Sequence, residues 1–153
     1  MPVILPVTAA YSCLFAGYSA FLSLRVSKYR GDTGIMIGDG QAAFDTPAKP
    51  GKTITPKDLY AAIRAHANFA ENVPFALTLI ALLELNGGSR RSVHALLATL
   101  LTARILHSEA GIRAENNLAF GRPVGTLAST AVIVVAGYLN AALAWPVVRR
   151  QLQ

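Results

Sequence analysis

The sequence predicts an all-α fold, a left-handed up-and-down bundle of four membrane-spanning helices forming one domain over residues 1–153. Three observations lead there. Hydrophobic residues make up 53% of the chain and charged residues only 14%, against about 25% charged in an ordinary soluble domain, and mean hydropathy is positive. Residues 1–24 and 123–148, 24 and 26 residues long, carry no charge at all, and each is long enough to cross a hydrocarbon core of about 30 Å. Between them, two interrupted apolar segments are joined by Asn86-Gly87-Gly88-Ser89, a tight turn with helix-ending glycine chemistry, which suits a hairpin that crosses and returns.

The elements follow in order. Helix one covers residues 3–26. It has no basic start, and its apolar run exceeds the about 7–15 residues of a signal-peptide core, so it reads as an uncleaved span closed by Arg25, Lys28 and Arg30. Residues 31–56 form a connector punctuated by Gly31, Gly34, Gly38, Gly40, Pro47, Pro50 and Gly51. It is too long for a plain loop, so it is either mobile or folded over something. Thr55-Pro56-Lys57-Asp58 reads as a capped helix start, opening helix two over residues 56–85. At 1.5 Å per residue that helix rises roughly 45 Å, so its first turns stand in the headgroup zone or beyond, and Pro74 is expected to kink it. Helix three covers residues 90–111 and helix four 123–148. The uncharged stretches inside helices two and three, 72–83 and 92–103, hold only 12 residues each. Soluble amphipathic helices look alike in isolation, but two clear spans flank these.

The net charge of +6 does not point to nucleic acid, because the basic residues sit at the ends of apolar segments rather than in a run with aromatics. There they set topology. Arg25, Lys28, Arg30, Lys49, Lys52, Lys57, Arg113 and Arg122 flank the first and third connectors, against Arg90, Arg91, Arg149 and Arg150 on the other side. That bias places both connectors in the cytoplasm and both termini outside. The single Cys13 excludes an intramolecular disulfide. The three histidines have no pair at i, i+4, so there is no metal signature. Tyr11, Tyr18, Tyr29, Tyr60, Tyr138 and Trp145 read as interface anchors. With no repeat pair and no broken helix, a transport site is not indicated.

One stretch demands chemistry. Arg64, Asn68 and Glu71 fall within an arc of roughly 60° on helix two, and an ionisable group in a membrane segment is a functional hypothesis by default. The turn at Gly87-Gly88 makes helices two and three an antiparallel pair, which sets Glu71 at the level of Arg104, Asn68 at that of His107 and Arg64 at that of Gly111. Two guanidiniums, an amide and a carboxylate in one layer suit a small zwitterion or peptide with several carboxylates. A buried Glu71–Arg104 salt bridge that fixes helix register is the alternative for that pair. His66 points away from this face, and His94 and Glu84 read as groups near the outer surface. Arg122, in Gly121-Arg122-Pro123-Val124-Gly125, either reaches back over the same layer or anchors in the headgroups.

The segment Arg64-Ala65-His66-Ala67-Asn68-Phe69-Ala70-Glu71-Asn72-Val73-Pro74 resembles the signature of the MAPEG family, the membrane-associated proteins in eicosanoid and glutathione metabolism. Ala103-Arg104-Ile105-Leu106-His107 resembles its helix-three motif, and Arg122-Pro123 the opening of its helix four. The likeness covers most of the chain and follows the pattern of small bacterial members. It implies an inner-membrane homotrimer binding glutathione between subunits near the cytoplasmic face. By match, Arg64, Asn68 and Glu71 hold the peptide, His107 sits in the same site, Arg104 supports it, and Arg122 stabilises the thiolate. The implied function is a glutathione-dependent transferase or peroxidase acting on lipophilic electrophiles or lipid hydroperoxides. The alternative is a non-catalytic scaffold of the same family that binds lipid or a partner. Two departures bear on this. Gly111 stands where several members carry a tyrosine, and Asn72 where the residue after the glutamate is often aromatic or hydroxylated.

Overall fold

Four long helices carry most of the chain in this computed structural model, which describes residues 3–114 and 119–153; residues 115–118, within the predicted connector before helix four, lie outside it. Helix α1 spans Pro6–Thr33. It passes the predicted stop at residue 26 because Arg25, Lys28 and Arg30 are good helix formers. What ends it is Gly34 in the left-handed conformation (φ 76°), whose N–H donates to Arg30 O at 2.7 Å. Helix α2 spans Pro56–Leu85, the predicted bounds. Its start is a reciprocal cap: the Thr55 hydroxyl accepts from the Asp58 N–H, and the Asp58 carboxylate accepts from the Thr55 N–H at 2.8 Å. Pro74 lies within a continuous helix.

After the turn at Gly87 (φ 81°), Ser89 caps α3, Arg90–His107, by accepting from the Ser92 N–H at 3.1 Å. The predicted helix over 90–111 is in fact two pieces, because at Ser108–Ile112 the backbone widens into a π turn. Helix α4 spans Gly121–Gln151, longer than predicted at both ends. Pro123 is tolerated in its first turn, where no helical N–H partner is lost. Helices α1, α2 and α4 are long and apolar enough to cross a membrane; α3, with 18 residues, is not among them.

Contacts fix the registers. The Glu84 carboxylate accepts from the backbone N–H groups of Val7 and Thr8, both at 2.8 Å, and Phe15 meets Phe69, so numbers rise along α1 as they fall along α2. Glu84 is therefore not a free outer-surface group. It caps the neighbouring helix, satisfying N–H groups that α1 leaves open at its start. Asn140 donates to Leu79 O at 2.9 Å, tying α4 to α2. The buried stripe Leu59, Ala62, Ala65, Phe69, Val73, Ala76, Ile80 and Leu83 along α2 has helical spacing, and from Ala65 onward it shares one core with Leu22, Leu97, Leu100 and Val132. The connector folds over the ends of α1 and α2, which decides between its two predicted states. Arg30 donates to Ile35 O and Gly38 O at 3.0 and 2.9 Å, Lys52 pairs with Asp32 at 2.7 Å, and Phe44 stacks edge-on with Tyr60.

In lipid, helix association depends on close packing more than on apolar burial. Gly121, Gly125 and Ser129 form a buried small-residue seam on α4. A Cβ at Gly125 would stand 2.5 Å from Ala103 O and from His107 Cβ, and one at Gly121 2.5 Å from Leu106 O. Overpacking of this kind costs about 1–3 kcal/mol, so Gly125→Leu is expected to lower the unfolding midpoint in detergent by several degrees. An unchanged midpoint by circular dichroism would show that the seam tolerates a side chain.

Candidate functional site

The helix registers bring polar groups together where α2 begins and α3 ends. A cleft of about 210 Å³ is lined by Tyr60, Ala61, Arg64 and Asn68 of α2, Ile112 of the π turn and Arg122 of α4. Three residues singled out in the sequence, Arg64, Asn68 and Arg122, thus share one cavity. Arg64 and Arg122 are exposed and Asn68 is half-buried. The Asn68 amide donates to Arg64 O at 3.0 Å, and Asn72 repeats this bond to Asn68 O at 2.8 Å, so the polar face of α2 is braced along its own backbone.

The other three predicted residues lie elsewhere. Glu71 is exposed and does not line the cleft. Arg104 does not meet it. The Arg104 guanidinium is buried against α4, donating from Nε to Ser129 Oγ at 2.8 Å and from Nη2 to Gly125 O at 3.0 Å. The alternative reading, a buried Glu71–Arg104 salt bridge, fails because matching residues across a hairpin fixes their depth but not their direction. Arg104 sits on the side of α3 that faces α4. His107 shares that side. Its Nδ1 lies 3.0 Å from Arg122 O and 3.3 Å from Thr126 Oγ1. Since a carbonyl only accepts, Nδ1 carries the proton. Arg104 and His107 therefore stand behind the cleft, fixing the first turns of α4 from which Arg122 projects. A second, wider cleft of about 560 Å³ also touches Arg122, with Pro123, Thr126 and Leu127 as its other lining.

The model of the MAPEG family matches residues 8–142. The chain belongs to the MAPEG family. It is also 30% identical over 101 residues to inner membrane protein YecN of Escherichia coli, in strain K12 and in an O6:H1 strain. Each match covers 66% of this chain and 66% of the relative, just under two thirds of its length.

Within this MAPEG chain, Gly111 has a local cause. A Cβ there would stand 2.6 Å from Arg122 N and 2.8 Å from Arg122 Cα. The missing side chain lets the π turn press against the residue that lines both clefts.

One cluster escaped the sequence reading. Arg25, expected among the basic residues that close helix one, is 7% exposed and pairs through Nη1 with Glu109 at 2.8 and 3.0 Å. Arg113 pairs with the other side of Glu109 and donates to Tyr29 Oη at 3.2 Å. Tyr18, expected as an interface anchor, donates to Glu109 Oε1 at 3.0 Å. The i, i+4 spacing of Glu109 and Arg113 was a usable signal; the long-range partner on α1 had none. Burial alone would raise the Glu109 carboxyl, but the Arg25 and Arg113 guanidiniums outweigh it and hold it below its ordinary value. A lowered folded-state pKa stabilises the fold above the unfolded carboxyl value of about 4.3, and that contribution is lost as pH falls through the lower folded value. Glu109→Gln is expected to flatten the acid limb of a thermal-stability profile below about pH 4. An unchanged limb would place the acid sensitivity elsewhere.

Proposed function

We propose that this chain is an integral inner-membrane protein that binds glutathione as co-substrate and transfers it to lipophilic electrophiles, or uses it to reduce lipid hydroperoxides. The observation that carries the reading is the convergence of Arg64, Asn68 and Arg122 on one cleft in a MAPEG chain. Guanidiniums match carboxylates bidentately, and glutathione carries two. Arg64 and Asn68 hold the peptide, and Glu71, exposed farther along the same helix, receives its ammonium. Arg122 lies beside the sulfur, where a cation raises the thiolate fraction at neutral pH. The thiolate attacks an electrophilic carbon and displaces its leaving group. With a hydroperoxide it takes the distal oxygen, releasing the alcohol and a sulfenic acid, which a second thiol condenses to disulfide and water. The wider cleft on Arg122 gives the lipophilic partner a place next to that sulfur.

The cleft also bears on assembly. At about 210 Å³ it is smaller than the about 300–1,000 Å³ usual for ligand sites. A tripeptide overruns it, and exposed Glu71 lies on the overrun. A second copy supplying the missing wall fits the homotrimer of left-handed up-and-down bundles, with the clefts at the cytoplasmic face. Calorimetry of the purified trimer should give saturable glutathione binding that Arg64→Ala weakens about 10- to 150-fold, as expected for a charged hydrogen bond of about 1.5–3 kcal/mol. Absence of binding in the wild type would leave the non-catalytic scaffold, which predicts co-purified lipid and no thiol-dependent turnover.

A further inference from the structure

A groove on the flank of α1 holds a surplus of charge that glutathione chemistry does not use. Its walls are Phe21, Leu24, Arg25, Lys28 and Tyr29, with Arg113 beyond the π turn, and it encloses about 490 Å³. Its two ends differ in chemistry. Phe21 and Leu24 are 50% and 70% exposed on a helix long and apolar enough to cross a membrane, so that wall suits an acyl chain. The other end is cationic. Arg25 and Arg113 pair with the carboxylate of Glu109, and Lys28 stands near Asp32, which pairs with Lys52; among the described residues of this region four positive charges against two negative leave two.

Arg25 is the unusual member. It is more than nine-tenths buried, and among the described residues only its Nη1 is bonded. Its Nε and Nη2 are buried with no partner among those residues, whereas buried donors are ordinarily satisfied. The half-exposed Phe21 ring lies over the guanidinium, 4.9 Å from its carbon, and rotamer changes of exposed side chains are fast. We propose that this groove binds the phosphate of an anionic membrane phospholipid. Phe21 swings aside to admit a phosphate oxygen to Nε and Nη2 of Arg25, Lys28 and Arg113 flank the headgroup, and an acyl chain runs along Leu24. Arginine presents a planar fork of donors that matches phosphate, and basic residues at a membrane surface select anionic lipid. A free phosphate meets the cations but leaves the Phe21 and Leu24 wall without an occupant; a phospholipid meets both.

The full chain, reconstituted into nanodiscs of phosphatidylglycerol or of phosphatidylcholine and released for native mass spectrometry, tests this. The wild type is expected to retain phosphatidylglycerol and to lose phosphatidylcholine. Lys28→Glu should cut retention about fivefold or more, and Lys28→Arg should restore it. Arg25→Met alone strips Glu109 of its buried partner, so it is paired with Glu109→Gln, and the double variant should also lose the lipid. Equal retention of the two lipids overturns the proposal, as does full retention in Lys28→Glu. Displacement of the lipid by millimolar inorganic phosphate reassigns the site to a soluble anion. If Lys28→Glu changes the oligomer mass and leaves lipid retention intact, the groove is an interface between copies and the proposal fails.

Discussion

Arg122→Ala is expected to lower turnover with a generic aryl halide about 3- to 25-fold at pH 7, while glutathione affinity changes little. The bounds follow from ionisation. A free thiol has a pKa of about 8.5, and neighbouring cations lower it by a unit or more. A depression of about two units takes the thiolate at pH 7 from about 3% to about three quarters of the population, an about 25-fold gain. A less basic thiolate is also a poorer nucleophile, by about 0.4–0.5 log units per pKa unit, which reduces the net gain to about threefold. Orientation by Arg122 moves the result toward the upper bound. The loss should shrink at pH 9, where an unassisted thiol is already mostly ionised. A pH-independent loss would mean that Arg122 holds the peptide rather than the sulfur. No loss at any pH, with glutathione still bound, would remove Arg122 from the chemistry.

The same residues show what the sequence could and could not carry. Helix α2 was readable to its ends because its determinants are local: Thr55, Pro56 and Asp58 at the start, and the Gly87-Gly88 turn just past the end. Helix α1 was misjudged because charges were taken as a stop, although only Gly34 can supply the left-handed cap. The π turn at Ser108–Ile112 had no local mark. It arises where Gly111 and Gly121 let the end of α3 and the start of α4 meet at backbone distance, a tertiary condition. The candidate site divides in the same way. Arg64 and Asn68 share a face by helix geometry alone, and the structure sets Arg122 beside them. Arg104 and His107 share a face too, but which neighbour that face meets depends on how α3 is rotated, which residue spacing does not encode. The seam Gly121, Gly125 and Ser129 was a legible pattern that would have turned α3 the right way, since small residues at i, i+4 mark a close helix contact.

That rotation makes Arg104 the residue to settle. If it only pins α3 to α4, Ser129→Ala should destabilise the protein more than Arg104→Met. Removing the Ser129 hydroxyl leaves the Nε–H of a buried guanidinium without the acceptor it now has at 2.8 Å, at a cost of about 1–3 kcal/mol, and more for a charged group. Replacing Arg104 by methionine removes the buried charge and its needs together. Gly125 O still accepts from Ser129 Oγ at 2.8 Å, and an apolar side chain of similar length fills the space, an exchange that is often neutral or better. The double variant should then be about as stable as Arg104→Met, because without Arg104 the hydroxyl keeps only its own-helix bond to Gly125 O. Unfolding midpoints in detergent rank the three, and glutathione calorimetry on the same samples separates support from contact. A well-folded Arg104→Met protein that binds glutathione as the wild type does would fix Arg104 as a helix pin. Lost affinity at full stability would mean that the guanidinium turns toward the ligand when it binds, and the cleft would then extend behind Arg122 to the α3 wall.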